Sequence, residues 1–224
     1  MQPLSGTLAI LPVKSFETAK QRLGDALNSV TRRVLVEAMY TDVLRALGRA
    51  ETVAGVIVVT SDNGAQRIAE GYGAEVIGDE HQGHNHAAAL GVRRAVDRGA
   101  ERVLLVPGDC PLLDPVEIDT LVGRRAPSRS VLVVPDRHGS GTNALLISPP
   151  DAFTPAFGPG SRVRHEQSAQ ATGLSCDTVP VASLAFDVDT PEDLEAVETA
   201  LAARRGGAAH TRGMLVQLAR TGVR

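Results

Sequence analysis

Four apolar runs punctuate the first 135 residues, and none of them alternates cleanly with polar positions. They are TLAILPV (7–13), GVIVVT (55–60), RVLLVP (102–107) and SVLVVP (130–135). Short β-branched and aliphatic runs of this kind suit strands covered on both faces, the environment of a mostly parallel sheet. Between them the period lengthens. TRRVLVEAMYTDVLRALGRA (31–50) carries Val34, Leu35, Ala38, Met39, Leu44 and Leu47 near helical spacing, with Asn28 or Ser29 as its cap. NGAQRIAEGYG (63–73) and HNHAAALGVRRAVDRG (84–99) read as helices stopped by glycine, and DPVEIDTLVG (114–123) as a helix with Asp114 as cap and Pro115 at its first position.

Strand alternating with helix in this way predicts a single-domain, doubly wound α/β fold, a Rossmann-like, mostly parallel sheet with right-handed crossovers. After residue 136 the rhythm changes. GTNALLIS, TGLSCDTVPV and LAFDVD read as further strands with a small antiparallel part, and a short helix is expected around 161–170. TPEDLEAVETALAARR (190–205) is a strong amphipathic helix with Thr190 as cap, Pro191 next and acids in its first turn. We therefore expect one domain over 1–205. The stretch 206–224 follows a Gly-Gly break and carries a basic balance, so it reads as a mobile tail or a partner-contacting segment with one helical turn.

Composition narrows the class without naming it. The 224 residues are 43% hydrophobic and 22% charged, which fits a folded globular chain. Aromatics are only 3%, so aliphatic packing must supply the core. A net charge of −3 gives no reason to expect a nucleic-acid partner. No run approaches the ~18 apolar residues of a membrane span, and the first residues lack a signal-peptide pattern, so a cytoplasmic protein is expected. Cys110 and Cys176 form neither a disulfide framework nor a C-x-x-C pair.

In doubly wound sheets ligands bind beyond the carboxyl ends of the strands, so the residues following each strand carry the chemistry. After the first strand stand Lys14, Lys20 and Arg22, three cations within KSFETAKQR, in a stretch with neither a GxxxxGK[ST] nor a GxGxxG pattern. Polyphosphate neutralisation and a solvated basic helix start are both compatible with them. VPGDCPLLDP (106–115) delivers Asp109 at the tip of a buried strand. Because Asp114 already caps the next helix, Asp109 is free to hold a divalent cation that carries phosphates. In FDVD (186–189) an extended backbone would turn Asp187 and Asp189 to one side. At about 6 Å and an effective dielectric near 20 their repulsion is roughly 3 kcal/mol, which solvent, donors or a cation must offset. A phosphatase D-x-D nucleophile is excluded by order, since only 35 residues follow Asp189. AFGPGSRVRHE (156–166), after GSGTNALL (139–146), offers Thr142, Gly158, Gly160, Ser161, Arg162, Arg164 and His165 as an anion cradle or an ordinary capped helix start. His81, His84 and His86 lack the companions of a closed zinc site, and Asn85, with a donor and an acceptor together, is the better candidate for reading a base.

Together these segments resemble the CofC/FbiD family of deazaflavin-coenzyme guanylyltransferases, within the nucleotidyltransferases of glycosyltransferase-A-like fold. The resemblance is carried from about residue 7 to 203 by LPVKSFETAKQRL, GHNHAAAL, VPGDCPLL, GSGTNALL, FGPGSRVRH and FDVDTPEDL. It implies transfer of GMP from GTP to phosphoenolpyruvate, 2-phospho-L-lactate or a phosphoglycerate, with release of pyrophosphate. It implies Mg²⁺ on Asp109, Asp187 and Asp189, and the phosphorylated acid on Thr142, Gly158 and Ser161. Lys14, Lys20 and Arg22 would face the GTP phosphates, with Lys20, Arg22 and Asp109 taking part in catalysis, and a homodimer is a family expectation. Two positions depart from the family pattern: Gly83-His84-Asn85 where G-L-N is usual, and Cys110 where an aliphatic residue is common. The alternatives are transfer to a sugar phosphate or a molybdopterin, or a nucleotide-binding regulatory module without catalysis.

Overall fold

The computed structural model describes residues 6–79 and 83–221, and builds them around one seven-stranded sheet. Its strands are β1 (Thr7–Pro12), β2 (Val53–Val59), β3 (Glu75–Ile77), β4 (Arg102–Leu105), β5 (Ser130–Pro135), β6 (Thr142–Ser148) and β7 (Ser175–Thr178). Their spatial order is β3-β2-β1-β4-β6-β5-β7. Every neighbouring pair is parallel except the two that involve β6. The mostly parallel sheet with a small antiparallel part is thus the one the apolar runs predict. β1 is central and fully buried, with Ile10 in register with Ile57 on one side and Leu105 on the other.

Helices cover both faces. α1 (Ser29–Leu47), α2 (Asn63–Gly71), α4 (Pro115–Val122) and α6 (Pro191–Ala203) pack on one, while α3 (His84–Asp97) and α5 (Ser161–Ala171) pack on the other. Alternate residues of β1 feed these two cores, Ala9 and Leu11 into the first and Leu8 and Ile10 into the second. The caps read from sequence are in place. Asn28 accepts from the Thr31 amide, Asp114 from that of Val116, and Thr190 forms a capping box with Asp193. Gly91 has a packing reason: a Cβ there would lie 2.3 Å from Ile10 Cγ2, so only glycine lets α3 lie this close to β1.

Two segments differ from the sequence expectation. LAFDVD is not a strand: Ala182–Leu184 form one 3₁₀ turn, and 186–189 run without ladder bonds apart from the Val188 amide donating to the Asp109 carbonyl. A strand was expected from its alternation, but its backbone makes isolated bonds, Val188 to Asp109 and Arg137 to Ala185, and no ladder among the described residues. The second is the region after Gly206, where α7 (Ala209–Thr221) forms thirteen residues of helix instead of one turn. It docks on α1, burying Leu215 and Leu218, and the buried Asp42 of α1 accepts from the amides of His210 and Thr211 at 3.1 and 2.7 Å. The helix start is capped by a residue far away in sequence, so local capping signals could not reveal it.

Candidate active site

The ends of β1, β4 and β6 meet at one rim, because antiparallel β6 begins where its parallel neighbours finish. An open cleft of about 720 Å³ lies along that rim. It is lined by Lys14, Lys20 and Arg22 after β1, by Asp109 after β4, by Thr142 and Asn143 at the start of β6, by Gly158 to Ser161, and by Asp187 and Asp189. Smaller cavities of about 280 and 190 Å³ share Lys14, Thr18 and His84 with it and continue past β1 toward Ser61 and Asp79. Nine of the ten sequence-derived site residues line the large cleft, and Asn85 does not.

The loop after β1 is tied down from outside. Asp62 caps α2 through the amides of Gly64 and Ala65, and its other oxygen accepts from the Phe16 amide at 2.9 Å and the Ser15 hydroxyl at 3.2 Å. Lys20 then adopts a left-handed backbone, φ 56°, unusual outside glycine, and its side chain turns inward. Its ammonium pairs with Asp109 and lies 2.6 Å from Asp189 Oδ1. Burial by itself would lower the Lys20 pKa, but Asp109 and Asp189 outweigh it and the net shift is upward. Lys14 and Arg22 are exposed on the cleft and have no ion-pair partner among the described residues.

Asp109 presents one oxygen to Lys20, while its Oδ1 is buried with no hydrogen-bond partner among the described residues. Asp187 is held by Asn143, whose amide donates to Asp187 Oδ1 at 3.0 Å and to the Leu184 carbonyl at 2.6 Å. Burial, and then the charge of Asp109, push the Asp187 carboxyl above the usual range. Asp189 is fixed through its backbone, its amide donating to Asp193, which Arg137 pairs in turn. The three acids border one cleft, yet no three His, Cys, Asp or Glu side chains among the described residues already form a ligand cluster. Lys20 stands between two of them instead.

The opposite wall is made of small groups. Gly158 has φ +124°, a conformation that side chains rarely adopt, and Gly160 at φ +69° starts α5 without a side-chain cap. No side chain caps α5, and its first amides are spent on backbone carbonyls, Ser161 on Gly158 at 3.0 Å and Arg162 on Ser140 at 3.3 Å. The wall therefore faces the cleft with glycine backbone and the Thr142 and Ser161 hydroxyls. Arg162 and Arg164, expected to share in an anion cradle, are committed to carbonyls: Arg162 to Gly139, Arg164 to Ala156 and Pro159. Asn85 is likewise committed. Its amide accepts from the Phe157 N–H at 2.7 Å and donates to the Phe157 carbonyl at 3.2 Å, so it clamps the cradle loop where base recognition was expected. His84 packs edge-on against Phe157 at 5.1 Å and lines all three cavities, His86 lines none of them, and His81 lies outside the described residues. Cys110 and Cys176 are both free thiols.

The sequence reading passed over two residues of the site. Asn143, inside the GTNALL motif, buttresses Asp187 from a buried position on β6. Asp79, just after β3, has an Oδ1 that is buried without a partner among the described residues and lines the smallest of the three cavities. The sequence reading placed no strand at Glu75–Ile77, so the position of Asp79 just after one went unseen.

Cations thus follow the first strand of this doubly wound sheet, and the Asp109 carboxylate follows its fourth. A solved nucleotidyl transferase from Methanothermobacter thermautotroptrophicus shares this fold, with a TM-score of 0.61 at 18% identity over 89% of this chain and 99% of that one. The profile of the family "Guanylyl transferase CofC like" matches residues 7–218, and the chain belongs to that family of guanylyltransferase enzymes. It is 53% identical over 217 residues to the phosphoenolpyruvate guanylyltransferase of Conexibacter woesei, covering 96% of this chain and 97% of that one. It is 39% identical over 196 residues to the 3-phospho-D-glycerate guanylyltransferase of Phenylobacterium zucineum, covering 86% and 88% respectively. No helix among the described residues is long and apolar enough to cross a membrane.

Proposed function

We propose that the protein transfers GMP from GTP to phosphoenolpyruvate and releases pyrophosphate, as a step in deazaflavin coenzyme biosynthesis. The observation that carries the reading is the two-sided cleft. On one side stand Lys14 and Arg22, without ion-pair partners among the described residues, and the Asp109 Oδ1, without a hydrogen-bond partner among them; a small, glycine-walled anion seat stands on the other. The name of the Conexibacter woesei relative, at 53% identity, favours phosphoenolpyruvate as acceptor. The 39% identity to a 3-phospho-D-glycerate guanylyltransferase makes 3-phosphoglycerate the second reading.

Divalent metal fits this site. The Oδ1 of Asp109 is a buried carboxylate oxygen lacking a partner among the described residues, and Asp187 and Asp189 complete an oxygen donor set of the kind Mg²⁺ takes together with phosphates and water. When bound by these three aspartates, Mg²⁺ would neutralise the triphosphate and make its α-phosphorus more electrophilic. The chain's own groups do the rest. Lys14 and Arg22 draw the triphosphate to the end of β1, and Lys20 supplies a fixed positive charge where the two polyanions approach. Thr142, the Gly158 backbone and Ser161 seat the acid with its phosphate turned toward GTP. A phosphate oxygen of the acid attacks the α-phosphorus, forming a P–O–P bond as the α–β bond breaks and its electron pair leaves with pyrophosphate. That oxygen is already ionised at neutral pH, so no general base is needed. Asp79 supplies the acceptor that guanine's N1–H and exocyclic amine require, in place of Asn85.

The test is a mass-spectrometric assay with GTP, Mg²⁺ and, separately, phosphoenolpyruvate, 3-phosphoglycerate, 2-phosphoglycerate and 2-phospho-L-lactate, with pyrophosphate release followed in parallel. A guanylylated phosphoenolpyruvate is the expected product. Turnover of 3-phosphoglycerate alone would select the second reading. No product with any acid, despite GTP binding, would point to another acceptor or to a regulatory module.

A further inference from the structure

One buried titratable side chain has no part in the chemistry above. His165, on α5, is fully shielded from solvent, and both of its ring nitrogens are engaged. Nε2 lies 2.9 Å from the Ala156 amide nitrogen, and Nδ1 lies 3.0 Å from Thr142 Oγ1. A backbone N–H can only donate, so Nε2 must offer its lone pair. A neutral ring then carries its single proton on Nδ1 and donates it to Thr142. A hydroxyl that accepts on that side keeps its own hydrogen for another partner. Thr142 lines the large cleft beside Gly158 and Ser161, so that hydrogen is available to an anion seated there.

The other tautomer would reverse every role. Nε2–H would face the Ala156 N–H with no acceptor between them, and Thr142 would spend its hydrogen on Nδ1 and turn only lone pairs to an anion. We propose that His165 is a positioning residue for the acid acceptor, fixing Thr142 as a hydrogen-bond donor by holding the Nδ1–H tautomer. On its other side the ring is held in register by the Ala156 amide. Phe153 and Phe157 hold its plane by edge contacts at 5.7 and 5.4 Å. Burial, reinforced by the Arg164 charge, lowers the His165 pKa to about 4, which keeps the ring neutral at working pH.

The assignment rests on the acid seat proposed above, and its test separates the two. In His165→Phe, the KM for the acid should rise tenfold or more, while the KM for GTP stays within about twofold. The double variant Thr142→Val/His165→Phe should be no worse than Thr142→Val, because the histidine acts through the threonine. His165→Asn, whose amide can accept from Ala156 and donate to Thr142, should recover most of the loss. Additive losses, or equal rises in both KM values, would overturn the assignment. A second measurement needs no variant: ¹⁵N NMR of the wild-type imidazole should show protonated Nδ1 and bare Nε2, unchanged from pH 5.5 to 8.5. A protonated Nε2 would overturn it. If wild type turns over none of the acids, the substrate reading falls, and the imidazole spectrum still decides the tautomer.

Discussion

The ammonium of Lys20 lies 2.6 Å from Asp189 Oδ1 while also pairing with Asp109, so one side chain neutralises carboxylates from two separate segments of the chain. Such a charge sits where a cation would bind. Exchanging it for a neutral group should leave two acids facing each other at the rim. In Lys20→Met we expect kcat to fall by about 10²–10³-fold. We also expect Mg²⁺ to raise the melting temperature of this variant more than that of wild type, because metal then relieves a repulsion that lysine had already relieved. Equal Mg²⁺ shifts in the two proteins would sink the idea.

Apart from the pairing of its carboxylate with Lys20, Asp109 meets the rest of the fold through its backbone, its carbonyl accepting from the Val188 amide at 3.3 Å. Its side chain serves the cleft. Asp109→Ala should therefore abolish turnover at saturating Mg²⁺ yet unfold within a few degrees of wild type. Steady-state kinetics and a thermal melt of one preparation check both halves.

Guanine selection should depend on Asp79. Replacing it with Asn keeps its size but exchanges half of its acceptors for donors, which matches adenine no worse than guanine. The ratio of kcat/KM for GTP over ATP should drop by about tenfold or more in Asp79→Asn. An unchanged ratio would move the specificity determinant elsewhere in that cavity.

Acid stability should report His165. Its folded pKa of about 4 lies below the ordinary 6.5, so between those values the unfolded chain binds more protons and stability rises with pH. The contribution is complete above about 6.5 and is lost as pH falls toward about 4, on the order of 3 kcal/mol at its fullest. Urea midpoints at pH 5 and 7.5 should differ more in wild type than in His165→Asn.

The docking of α7 depends on Asp42. Removing its carboxylate strips a cap from the His210 and Thr211 amides, at a cost of about 1–2 kcal/mol. In Asp42→Ala, hydrogen exchange should quicken across 209–221 before it does in β1 or β4.

Much of this was legible in the chain because it is written locally. The buried strands at 7–12 and 130–135, the cap at Asn28 and the capping box at Thr190 each depend on neighbouring residues, and each falls where its pattern puts it. The convergence of Lys20 and Asp109 on one cleft follows from strand ends in a parallel sheet, while Asp187 and Asp189 reach it on a segment outside the sheet. What could not be read is what distant partners decide. Asn85 has ideal chemistry for a base but spends it on Phe157, and Arg162 and Arg164 spend theirs on carbonyls. FDVD alternates like a strand yet forms no ladder among the described residues. The Asp42 cap joins residues with most of the chain between them.

Antiparallel β6 has one more consequence. By running backward it brings the start of a strand to the rim, so the donor and acceptor seats come from separate stretches of chain. On the proposed function, the nucleotide-facing groups lie between Lys14 and Asp109 and the acid-facing groups between Thr142 and Ser161, with Asp187 and Asp189 bordering both. The two substrates can therefore be retuned independently: grafting residues 136–165 from a guanylyltransferase of different acid preference should transplant that preference and leave the choice of nucleotide untouched.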